Sequence, residues 1–203
     1  PTGVWWTEIE TTGTQDLPTV GLLEGSKIRF VMRVVIAGEV PNQTAKFEFC
    51  DLQTEWENPL IPGDFHTIGF RPEAAAAFGE TISVDFSGLS VGSAIPIPDL
   101  TFIAGGDETG AIIDEDGDGY PAITTWVRII LPFEVAEVIT IRANLDVVAT
   151  DENTLSGTLD FDVEADIIES SSAVFVPDEV PVTIVPDSNA VPITVRRIPG
   201  GGD

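Results

Sequence analysis

The stretch "VITIRANLDVVATDENTLSGTLDFDVEADIIE", residues 138 to 169, alternates apolar and polar side chains almost without a break. Ile139, Ile141, Ala143, Leu145 and Val147 interleave with Thr140, Arg142, Asn144 and Asp146. Beyond "TDEN", Leu159, Phe161, Val163, Ala165 and Ile167 interleave with Asp160, Asp162, Glu164 and Asp166. Successive strand side chains point to opposite faces, so each half has one apolar face and one polar face, and the second polar face is acidic throughout. A helix would scatter the same residues around its whole circumference. The turn chemistry of "TDEN" between the halves makes them a long antiparallel hairpin, which must bury one face against more sheet.

Further strands are expected at Val4 to Glu10, Ile28 to Val40, Ala45 to Thr54, Thr81 to Phe86, Leu100 to Ala104, Ile123 to Leu131 and Ile193 to Ile198, punctuated by Gly, Pro, Asp and Asn clusters. One short helix is expected in "RPEAAAAFGE", over Pro72 to Phe78, with Pro72 in its first turn and Gly79 as its C-cap. The expected fold is therefore all-β: an antiparallel, up-and-down, lipocalin-like β-barrel of about 8–10 strands, with a β-sandwich as the alternative. Residues 1–203 read as a single β domain. Within it, 177–203 ("PDEVPVTIVPDSNAVPITVRRIPGGGD") form a Pro-rich strap that crosses the surface, ends in one strand and trails off in a "PGGGD" tail.

Nine Lys and Arg face 34 Asp and Glu, a formal net charge of -25. Such a chain repels phosphate backbones and anionic lipid heads, so nucleic acid and anionic membrane surfaces are not expected partners. Apolar runs are short or interrupted, as by Arg33 in "IRFVMRVVIAGEV", and none reaches the ~20 residues of a membrane helix, so no transmembrane segment is expected. Cys50 is the single cysteine and cannot form an internal disulfide. The opening "PTGVWW" has neither a basic n-region nor an initiator Met and reads as a mature form whose targeting segment lies upstream.

The sharpest local pattern is "AIIDEDGDGYPAIT", residues 111 to 124. An EF-type calcium loop takes oxygens from positions 1, 3 and 5, a sharp glycine turn at 6 and a carbonyl at 7. Asp114, Asp116 and Asp118 fill the first three, Gly119 the fourth, and Tyr120 offers its carbonyl. Position 12 is Thr125 instead of a bidentate Glu, so the closing ligand must come from elsewhere, with Asp107 and Glu108 the nearest candidates. Three carboxylates within one turn repel each other unless a cation joins them. Structural calcium, with the ~10⁻⁴–10⁻³ M affinity of extracellular modules, is the expected cofactor; the other reading is an unmetallated acidic turn.

The segments "TGVWWTEIETTG", "FEFCDLQTE", "DEDGDGYPAIT" and "VPDSNAVPITVRRI" together resemble a loose family of uncharacterised surface lipoproteins of myxobacteria and related deltaproteobacteria. In that family the central motif is often followed by Gly and Val-Thr-Val, where this chain has Pro121, Ala122, Ile123 and Thr124. The resemblance implies export and outer-membrane or cell-surface anchoring through a lipidated cysteine upstream of Pro1. It implies no activity.

Catalytic chemistry has little to build on. His66, in "GDFHTIGF", is the single histidine, and no nucleophile-elbow glycine pattern is present, so a zinc site or a Ser-His-Asp triad has no second anchor. Cys50, beside Phe47 and Phe49, reads as a small buried hydrophobe. Of the four tryptophans, Trp5 and Trp6 are adjacent and must point to opposite faces, leaving at least one outside the core. With Trp56 and Trp126, they read as core caps or as sugar- or lipid-contacting aromatics. No enzyme is expected. Three roles fit: an exported cell-surface binding or structural module with a calcium site, a lipocalin-like carrier of a small apolar ligand, and a subunit of a surface filament or coat that pairs by strand addition.

Overall fold

A computed structural model describes residues 2–17, 20–39, 43–57, 63–68, 73–78, 81–85, 89–91, 112–114, 117–119, 122–128, 132–171 and 182–199. Among the described residues are twelve strands: β1 (Gly3–Leu17), β2 (Gly21–Ala37), β3 (Gln43–Trp56), β4 (Gly63–Ile68), β5 (Glu73–Phe78), β6 (Thr81–Asp85), β7 (Leu89–Val91), β8 (Ile123–Arg128), β9 (Pro132–Asp151), β10 (Thr154–Ser170), β11 (Val182–Pro186) and β12 (Val191–Arg197). Every pairing between them is antiparallel.

Eight of these strands close a ring in the order β10-β12-β1-β2-β3-β4-β8-β9, with β9 returning to β10. Two meanders, β1 to β4 and β8 to β10, supply most of the staves, as expected of an up-and-down arrangement. A sandwich of two separate sheets is not formed, because each ring strand has a hydrogen-bonded neighbour on both sides.

The long hairpin forms as expected. Leu159 pairs with Leu145, Phe161 with Ala143, Val163 with Ile141 and Ala165 with Ile139, around a tight turn in which the Asn153 amide donates to Asp151 Oδ1 at 2.7 Å. All eight of those paired residues are buried. Trp5, Ile9, Phe30, Met32, Val34 and Leu52 join them in one core. Phe30 of β2 and Phe161 of β10 stack across the ring at a centroid distance of 5.4 Å, so side chains fill the interior at that level.

The strap docks as two strands instead of one. β12 lies between β10 and β1, pairing Leu159 to Val191 and Trp5 to Arg197. β11 lies end to end with it between the same two strands, pairing Val163 to Ile184 and Gln15 to Ile184.

The expected helix over Pro72 to Phe78 is not formed; Glu73–Phe78 is strand β5. β4 covers β3 only from Asp51 to Trp56, which leaves the outer edge of Gln43 to Glu48 needing partners. β5 supplies them, from Gln43 opposite Phe78 to Glu48 opposite Glu73. So short an alanine run gains few hydrogen bonds after helix nucleation, and the open edge outweighs its propensity. The expected strand at Leu100 to Ala104 lies outside the described residues.

Candidate functional site

Alternation along the strands sorts the tryptophans. Trp5 and Trp56 are buried in the ring, whereas Trp6 and Trp126 stand on the outer face at 40% and 50% exposure. The opposed faces of Trp5 and Trp6 are as expected. A bulge in β3 pairs Asp51 with Val31 and Phe49 with Met32 of β2, so Cys50 is the extra residue. Cys50 is only half-buried as a result, not the core hydrophobe expected, and its Sγ lies 3.5 Å from the Glu48 carbonyl.

The same bulge sets the outward row that follows. Arg29 of β2 bonds Glu8 of β1 and, through Nη1, Asp51 Oδ2 of β3 at 2.8 Å. Asp51 Oδ1 in turn lies 2.8 Å from His66 Nε2 on β4. A carboxylate only accepts, so Nε2 carries the hydrogen and Nδ1 is the atom left for other partners. The hydrogen bond to Glu8, followed by further carboxylate contacts, holds the Arg29 guanidinium above its ordinary pKa. One chain of charged groups thus ties four adjacent strands and fixes the His66 ring.

Beyond His66, register continues to Trp126 on β8 and from there to Glu134 on β9. Two pairs along, Asp64 stands opposite Arg128, and their side chains form an ion pair. Gln53, Asp64, His66, Trp126, Arg128 and Pro132 line an open cleft of about 210 Å³ on the outer face. A wider opening of about 700 Å³ lies at the end of the ring where β2, β3, β9 and β12 have their tips, lined among others by Glu39, Gln43, Asp151, Glu152 and Arg197.

The Asp-Gly loop enters the sheet at β8. Asp114 is exposed and gathers the loop about its own carboxylate: the Gly117 amide donates to Oδ1 at 2.7 Å and the Gly119 amide to Oδ2 at 3.0 Å. Both glycines have positive φ, 75° and 90°, which a side chain would resist. The Thr124 hydroxyl donates to Asp118 Oδ2 at 2.7 Å and fastens the loop to β8. Ala122, just before β8, is buried at φ 70°, a left-handed conformation costing about 1–2 kcal/mol in a non-glycine residue. Asp116, Tyr120, Asp107 and Glu108 lie outside the described residues. Among the described residues no three His, Cys, Asp or Glu side chains converge.

The cleft escaped the reading of the sequence because it is assembled by register between strands. His66 and Trp126 are 60 positions apart, and β4 was not anticipated. No protein-family model, curated protein or solved structure matches the chain.

Proposed function

We propose that the protein is a non-catalytic, exported β-barrel module that acts by binding or as a structural element at the cell surface, with structural calcium in the Asp114–Asp118 loop. The observation that carries the calcium reading is the Asp114 carboxylate drawing in the amides of Gly117 and Gly119. That arrangement curls the described part of an aspartate-rich loop in the manner of a cation cradle, for which Asp116, Asp118 and the Tyr120 carbonyl are the proposed further ligands. The ring offers a rigid frame whose chemistry lies on its outside, and the Phe30–Phe161 stack leaves little room at mid-height for the cargo of a carrier. Strand donation to a neighbour is disfavoured too, since β11 and β12 are each paired on both edges within the chain.

Bound calcium stabilises the folded state by RT ln(1 + [Ca]/Kd), ~1.4 kcal/mol at tenfold excess over Kd. For a domain of this size the melting temperature should rise by roughly 3–6 °C. Magnesium should do much less, because it holds its waters in a compact octahedral shell. Asp116→Asn should lose most of the calcium response with little change in the metal-free melt. If sodium chloride at matched ionic strength reproduces the shift in wild type and variant alike, the loop is an acidic turn and the calcium reading fails.

A further inference from the structure

We propose that the outer-face cleft around Trp126 binds a neutral sugar ring. The inference rests on the binding half of the function proposed above and is independent of calcium. Half of Trp126 faces solvent from a strand paired on both sides, at His66 and at Glu134. It is therefore a flat apolar plate on a stiff base, already ordered before any ligand arrives.

The hydrogen-bonding groups beside it are ordered as well. Arg128 and Asp64 hold each other, and His66 is fixed by Asp51 through the row that runs back to Glu8. Gln53 stands in register between Arg29 and His66, and no side-chain hydrogen bond of its amide occurs among the described residues. An amide without a partner offers two donors and one acceptor at the edge of the plate.

Charge narrows the ligand. Asp64 and Arg128 offset each other and Asp51 faces both Arg29 and His66, so the lining is close to neutral. The chain as a whole, at -25, repels acidic glycans and phosphates at long range. About 210 Å³ of open cleft is smaller than the ~300–1,000 Å³ sites of drug-sized molecules and suits one ring. A pyranose has an apolar C–H face for the indole and a rim of hydroxyls for Gln53, Asp64, His66 and Arg128. This combination of flat aromatic contact and planar hydrogen-bonding groups is what such a ligand needs.

The test is calorimetric titration of the full chain with maltohexaose, cellohexaose, chitohexaose and mannohexaose, together with tryptophan fluorescence. At least one should bind in the millimolar range or tighter. Trp126→Ala should weaken it by about tenfold or more, Gln53→Ala by a smaller factor, and Trp6→Ala, at the other exposed tryptophan, should leave it unchanged. Trp126→Phe, which keeps a smaller plate, should fall between wild type and Trp126→Ala. Thermal melts of each variant report whether the fold is intact. The proposal is overturned if none of the four sugars binds, if Trp6→Ala matches Trp126→Ala, if polygalacturonate binds as well as the neutral sugars, or if sedimentation shows that Trp126 instead seats a second copy of the chain. Because calcium is read from melting and sugar from heat of binding, either proposal can fail while the other stands.

Discussion

Asp166 sits on the outward side of β10 with its carboxyl held above the ordinary carboxylate pKa, first by burial and then by the neighbouring charge of Glu164. Arg142 lies 2.9 Å from Asp162 and 2.7 Å from Glu164, so part of that second influence is offset and burial is the larger one. Its Oδ2 makes no hydrogen bond among the described residues. A group with a higher pKa folded than unfolded favours folding while protonated; the contribution is complete below the unfolded value and is lost as pH rises through the folded value. Near neutral pH the ionised Asp166 therefore opposes folding. Asp166→Asn should melt higher than wild type at about pH 7, and the gap should close as pH falls through the carboxylate range. Paired melts across that range check it; a gap that persists in acid would mean the amide acts through a new contact.

At the level of strands, β12 is the piece on which closure depends. Its removal would uncover β10 along Thr154 to Leu159 and β1 at Trp5 and Trp6. Deleting from Val191 onward should thus lower the melting temperature sharply and promote association, while deleting Gly200 to Asp203 should leave melting unchanged. The strands legible in the sequence were those with one wet and one dry face, such as β9 and β10, where alternation over many residues overrides any local ambiguity. β5 was misread because "EAAAAF" lacks alternation, and its strand state comes from the partnerless half of β3. β4, β7 and β11 carry too few residues between turn formers to show a period. The Asp-Gly loop, by contrast, announced itself through residue type alone, yet the hydrogen bonds that make Asp114 its centre required coordinates.

The whole molecule pairs a filled interior with an outer surface that carries most of 34 acids against nine bases. Self-repulsion on that surface opposes compaction and is screened within ~10 Å at 0.1 M salt. Raising sodium chloride from low to moderate concentration should therefore raise the melting temperature, with far-UV circular dichroism remaining that of an almost purely β protein; a flat salt response would mean that the ion pairs of Arg29, Arg33 and Arg142 already balance the surface. The closing contact of the ring also sets when the molecule can exist. Thr7 on the first strand donates to the Thr194 carbonyl on the last, across 187 positions, and the Ile198 amide reaches the Val4 carbonyl at 2.8 Å. That place between β10 and β1 is held by β12, so during synthesis the barrel-like ring stays open until Val191 to Arg197 have emerged. Contacts this distant in sequence make folding slow, because the entropy of bringing the two strands together is lost before their pairing rewards it.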